Sequence, residues 1–497
     1  MPQLRVTARF YVILVGQFIL VRMKEMKIRH LLLILTVLFS NAILGQYDIK
    51  VVVDGLTCKD ELKLASYRGA RQYYEQSSVC ENGVFRIKGD ESLKTGNYII
   101  LLPNNNFFDF LVSSNEDQTQ YSFKLDTNLY LDEMIVSGSR ENELFFDFRS
   151  FEAIQKSKIQ QENRIVESSK DTLKRQLSLN KISELEKSIE ENRKETIAKA
   201  GNLFVGKFLN AHRQVPMIEA PENMSGENAR IFKYNWIRNH YFDNIDLKED
   251  GLLRTPIYQK EVSRYFDKYL PRNVDSSINV VNEFMTRLKN EGSKAQYQFC
   301  LSFLINRFQT SKRMCFDKIA WHLAKNYYCA GKAAIDETRR LQACEFADIQ
   351  SNTLCGQRAH DMNMLDTSFV NRVRLHDIDK ACTILVFWDI DCSHCKMELP
   401  IIQSIFDTLN QDELEIYAVY INGDFVRWRE QLRKTGYTFT NVADVNADSD
   451  FREVYKVVST PKLYVLDRDK NIVFKDISVT DIPSILNYMI GQENKED

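Results

Sequence analysis

The stretch from Thr383 to Cys395 constrains this chain more than any other. Thr383–Trp388 is an unbroken apolar run, as expected of a strand buried on both faces. It leads through a short turn into Cys392-Ser393-His394-Cys395, where a helix over 393–409 is predicted to begin. A thiol at a helix N-terminus feels the positive end of the helix dipole and unpaired backbone N–H groups, which stabilise its thiolate. Two intervening residues bring the second sulfur within bonding reach. The site also falls at the C-terminal end of a central strand, where open α/β sheets place their functional groups.

Two blander readings of the cysteine pair are weaker. A structural zinc site needs further ligands at metal spacing, but there is no other Cys-x-x-Cys and the histidines form no second pair. A purely structural disulfide is poorly suited to a helix start. No metal and no cofactor are therefore expected. The region around the pair reads β-α-β-α-β-β-α. Leu414–Ile421 is a second buried strand and Asp424–Thr435 a helix. Lys462–Asp467 and Asn471–Lys475 form a hairpin, and Asp481–Gly491 a closing helix. Ser459-Thr460-Pro461 stands directly before the first hairpin strand. A proline there conflicts with a central strand, and a cis Thr460–Pro461 bond resolves the conflict; a trans proline on an edge strand is the alternative.

The pattern Phe387-Trp388, then Cys392-Ser393-His394-Cys395-Lys396-Met397-Glu398-Leu399-Pro400, then Thr460-Pro461 before a hairpin, resembles the thioredoxin superfamily. More narrowly it resembles the TlpA/ResA-like extracytoplasmic thiol–disulfide oxidoreductases, over roughly residues 352–491. The resemblance implies a nucleophilic Cys392, a resolving Cys395 and a substrate-guiding loop at Thr460 and Pro461, with Trp388 near the substrate. It also implies a Glu398 that accepts the proton of Cys395, with an exposed helix carboxylate as the alternative. Asp391 replaces the tryptophan that thioredoxin carries before its first cysteine and is expected to raise the Cys392 pKa. His394 is expected to lower it. Each effect is worth about one pH unit, or about 1.4 kcal/mol, which for this couple is about 30 mV. The direction of electron flow is therefore not readable.

The rest of the chain reads as a multidomain α+β protein. Residues 1–45 resemble a targeting segment: a basic patch at Lys27, Arg29 and His30, the apolar run Leu31–Phe39, then small and polar residues. A second apolar stretch, Phe10–Val21, lies upstream, so either translation starts at Met26 or the leader is a double anchor; the later start is preferred. Export to the periplasm or cell envelope is expected, with membrane contact only through this segment. Residues 46–140 are predicted to form a small antiparallel β-sandwich or barrel from strands at 47–53, 83–88, 98–102, 107–112 and 121–125. Ser139 and Asn142 offer N-capping chemistry for the next helix.

Residues 141–350 are expected to be helical, opening with a long helix or hairpin over 141–199, where neither proline nor glycine occurs. Thr255-Pro256 and Leu270-Pro271 mark breaks. The upstream regions resemble domains of unknown function that precede such thioredoxin modules; residues 351–497 make the thioredoxin-like domain. Besides the Cys392–Cys395 pair there are eight cysteines, an even number whose pairing is not readable.

Lys and Arg total 66 against 68 Asp and Glu, a balance that argues against a nucleic-acid binder. The expected partners are protein disulfides and an electron donor of unknown identity, with the chain acting as a reductase or isomerase. One rival is a thiol peroxidase of peroxiredoxin type, which would need a Thr-x-x-Cys setting and an arginine partner; position 389 is Asp, and no arginine is expected nearby. The other is a non-enzymatic envelope scaffold carrying a passenger thioredoxin fold.

Overall fold

A computed structural model of the protein describes residues 47–127, 134–333, 336–408 and 413–493. The targeting segment expected over 1–45 lies outside these residues. The chain divides into two compact units, one up to Lys268 and one from Tyr269 onward.

The first unit begins with β1 (Tyr47–Asp54), β2 (Lys63–Arg68), β3 (Arg71–Ser77), β4 (Val79–Glu81) and β5 (Val84–Gly89). These are followed by β6 (Gly96–Leu101), β7 (Phe107–Val112), β8 (Ser122–Asp126) and β9 (Ile135–Ser137). They form two sheets, ordered β4-β5-β1-β8-β9 and β3-β2-β6-β7. Strand β1 alternates buried and half-buried residues, the period-2 signature of a sheet with one covered face. Phe108 and Phe110 of one sheet meet Phe123 of the other at 5.6 and 5.3 Å between ring centres, so the sheets pack face to face as a sandwich. The sandwich is mixed, not antiparallel as expected, because β1 and β8 run parallel.

Helix α1 (Arg140–Ser168) starts where the sandwich ends. The Ser139 hydroxyl accepts the Asn142 N–H as an N-cap. The Asn142 amide in turn exchanges two 2.7 Å bonds with the backbone of Leu111 on β7. Helix α2 (Thr172–Ala200) folds back on α1, making the expected region a hairpin. Then come α3 (Phe204–Ala211), α4 (Gly226–His240) and α5 (Pro256–Tyr269), the last opening on the predicted proline break.

The second unit contains α6 (Val274–Glu291), α7 (Lys294–Gln309), α8 (Asp317–Leu323) and α9 (Glu337–Ser351) ahead of its sheet. The segment expected as one helical region over 141–350 is thus divided between the units. Covalent and polar ties explain why its second half clusters with the sheet that follows. Cys315 is bonded to Cys355. Asp317 pairs with Lys475, and the Lys475 ammonium also donates to the Thr353 carbonyl at 2.7 Å.

The sheet has strands β10 (Asn363–Asp366), β11 (Arg372–Arg374), β12 (Cys382–Trp388), β13 (Leu414–Tyr420), β14 (Thr440–Ala443), β15 (Lys462–Leu466) and β16 (Ile472–Lys475). Their order is β11-β10-β14-β13-β12-β15-β16, with β12, β13 and β14 mutually parallel and β15 antiparallel to β12. All seven residues of β12 are buried, and a cluster of buried apolar side chains covers each face of the sheet. The helices here are α10 (Ser393–Thr408), α11 (Phe425–Thr435), α12 (Phe451–Val454) and α13 (Ile482–Glu493). Among the described residues no helix is long and apolar enough to cross a membrane.

Candidate redox site

The turn between β12 and α10 is built by backbone and carboxylate bonds. The Asp389 carboxylate accepts the Asp391 N–H at 3.0 Å and the Asn422 side-chain amide at 3.0 Å, tying the turn to the residues that follow β13. The Asp389 carbonyl accepts the Cys392 N–H at 3.3 Å. Cys392 then stands just before the first turn of α10, and its sulfur accepts the Cys395 N–H at 3.2 Å. The sulfur thus acts as the helix N-cap, the position where an anion is stabilised most.

Both sulfurs are free thiols. Cys392 is half-buried and Cys395 fully buried. Burial pushes the Cys392 thiol up, but hydrogen bonds from the Cys395 thiol, the Thr460 hydroxyl and the backbone N–H groups of Cys395 and His394 outweigh it, leaving the pKa below the usual thiol value. Burial and the bond to Cys392 push Cys395 up to about 12. One thiol is poised to ionise and its neighbour to stay protonated. Tyr437 joins this environment: burial and the nearby Cys395 raise its phenol, and its ring packs against Trp388.

The Thr460–Pro461 bond is cis, as expected from the sequence. The loop lies against the nucleophile, with the Cys392 thiol donating to the Thr460 carbonyl at 3.1 Å. Residues distant in sequence therefore converge on one sulfur.

The surroundings of four expected residues bear on their roles. Trp388 is 2% exposed in the core, edge-to-face with Tyr420 and Tyr437, so its ring supports the site from within and is closed to substrate. Glu398 lies one turn beyond Cys395 on α10, half-buried. The Asp391 charge is met by Arg427, whose guanidinium donates at 2.9 and 3.2 Å and holds the carboxyl below its usual range. The main causes of the Cys392 shift are burial and hydrogen bonds, not the Asp391 charge. His394 acts through its backbone N–H, while its imidazole is exposed. Arg427 was missed because nothing in the sequence links a residue on α11 to a turn before α10. It also corrects the expectation that no arginine lies near the site, although its guanidinium is engaged by Asp391.

Residues 355–475, which include both cysteines and the proline loop, match the AhpC/TSA family. The C-terminal domain is a member of the thioredoxin superfamily. Residues 153–352 match a domain of unknown function, DUF5106. The thioredoxin domain is similar to the thiol-disulfide oxidoreductase ResA of Oceanobacillus iheyensis, at 25% identity over 125 residues; the match takes in 24% of this chain and 64% of that protein. The chain therefore spans less than two thirds of the curated relative it matches. Among solved structures it is similar to a domain of a "possible thiol-disulfide isomerase" from Cytophaga hutchinsonii, with 30% identity and a TM-score of 0.27. That match covers 29% of this chain and 97% of the other. It is also similar to a thioredoxin-like protein from Bacteroides caccae, with 15% identity and a TM-score of 0.44, covering 56% of this chain and 98% of the other.

The remaining cysteines divide. Cys58–Cys80, Cys315–Cys355 and Cys329–Cys344 are disulfides, and Cys300 and Cys382 are buried cysteines outside those bonds.

Proposed function

We propose that the protein is an extracytoplasmic thiol–disulfide oxidoreductase that exchanges disulfides with partner proteins as a reductase or isomerase. The observation that carries this reading is the asymmetry of the pair: an N-capping Cys392 with a lowered pKa, touching the cis-proline loop, beside a buried Cys395 at about 12. The Cys392 thiolate attacks one sulfur of a substrate disulfide, and the other sulfur leaves as a thiolate that takes up a proton. Cys395 then loses its proton and attacks the Cys392 sulfur of the mixed disulfide. The substrate departs as a dithiol, two electrons richer, and the Cys392–Cys395 bond is formed. An electron donor must reduce that bond before the next cycle.

Three disulfides elsewhere in the chain support an oxidising compartment, as does the resemblance of residues 1–45 to an export segment. A peroxidase is disfavoured by Asp389 at the position where that chemistry uses threonine. Insulin-disulfide reduction tests the mechanism. Cys392→Ser is expected to abolish turnover and Cys395→Ser to accumulate a mixed disulfide, whereas full activity in both variants overturns it.

A further inference from the structure

Within the C-terminal unit lies a cavity of about 950 Å³ whose wall includes Val458 and Lys462, the residues flanking the Ser459-Thr460-Pro461 loop. Val458 is 92% exposed. The wall carries five cationic side chains and three carboxylates. One carboxylate, Asp317, is paired with Lys475, and Arg313 donates to the Pro271 carbonyl at 2.9 Å; Lys312, Lys456 and Lys462 share the wall with Asp476 and Asp481.

Lys456 and Lys462 are unusual for half-buried lysines. The Lys456 ammonium lies 3.5 Å from the Gln350 amide oxygen and 4.7 Å from the Phe346 ring centre. The Lys462 ammonium donates to the Lys456 carbonyl at 3.2 Å. Among the described residues neither has a carboxylate within ion-pair distance. Burial lowers both pKa values. The Lys475 charge lowers each further; at Lys462 the Asp476 and Asp317 charges oppose the shift and the Lys456 charge adds to it. Two cations partly removed from water with no carboxylate in direct contact carry a desolvation penalty, only partly offset at Lys462 by Asp476 and Asp317, that an entering anion offsets further.

From this we infer that the cavity binds an acidic segment of the disulfide-bearing substrate, seating its carboxylates on Lys456 and Lys462 while its disulfide lies at Cys392. The inference rests on the exchange reading above. A polypeptide is favoured over a free ion because the wall adjoins the loop that touches the nucleophile, where the substrate disulfide must lie.

The test uses the full chain and a fluorescent, cysteine-free peptide of glutamate and alanine, with a glutamine counterpart, read by anisotropy. The acidic peptide is expected to bind at least about tenfold more tightly, with the difference shrinking as salt is raised. Lys456→Gln with Lys462→Gln should remove that preference, and Lys456→Arg with Lys462→Arg should retain it. Equal binding of the two peptides, or a preference that survives the glutamine variant, overturns the inference. So does binding of inorganic phosphate without binding of the acidic peptide. In parallel, kcat/KM is measured for disulfide-bearing versions of both peptides, and a preference for the acidic one is expected. Turnover of both without that preference overturns the role of the cavity alone. Turnover of neither overturns the exchange reading and the substrate assignment with it.

Discussion

At Cys392, burial favours the thiol while the N-terminal amides of α10, the Cys395 thiol and the Thr460 hydroxyl favour the thiolate, and the hydrogen bonds win. Alkylation by iodoacetamide should therefore rise with pH and level off below the range of an ordinary thiol at Cys392. Cys395 should stay unreactive until about pH 12. Arg427→Gln removes the main counter-charge of the Asp391 carboxylate beside the site, leaving the weaker effect of Lys396. Because the pair is exposed, the expected rise in the Cys392 pKa is small. The pH profile of alkylation reads it, and an unchanged or lowered pKa would refute the neutralising role of Arg427. The sequence showed the two cysteines and the proline because each sits at a fixed place between recognisable elements. It did not show that Asp391 is neutralised, since that depends on a side chain 36 residues away. Nor could it place Trp388, because an aromatic at a strand end points into the core or out of it according to register.

Among the elements, β12, β13 and β15 were legible as apolar runs because the sheet is covered on both faces. Strand β3 was not: none of its seven residues is fully buried, so no alternation marks it. Strands β10, β11 and β14 span four residues or fewer and take their conformation from neighbours already in place. The join between α8 and β16 was equally hidden. Lys475, 6% exposed, meets the Asp317 carboxylate and the Thr353 carbonyl. Removing one partner leaves the other charge buried and unpaired, at a cost of about 3–5 kcal/mol. Lys475→Met should accordingly lower the urea midpoint of the C-terminal unit sharply, and adding Asp317→Leu should restore most of it. A single variant as stable as the parent would show that the pair contributes little.

For the whole molecule, the division after Lys268 alters what counts as a minimal redox unit. A fragment of residues 352–497 leaves Cys355 without Cys315 and Lys475 without Asp317. A fragment of residues 269–497 keeps both ties. The longer fragment should melt well above the shorter one and reduce insulin at a rate near that of the full chain. Equal melting temperatures would contradict the assignment of α6–α9 to the redox unit. The four remaining thiols and three disulfides also differ in their expected chemistry, because only one pair joins a lowered pKa to a substrate-facing loop.

The most direct measurement equilibrates the full chain across a series of glutathione ratios, quenches with acid and maps every cysteine by mass spectrometry. The Cys392–Cys395 bond should form and break reversibly across the series while Cys58–Cys80, Cys315–Cys355 and Cys329–Cys344 stay closed. If Cys392 and Cys395 never join, or another pair exchanges in their place, the redox assignment is contradicted.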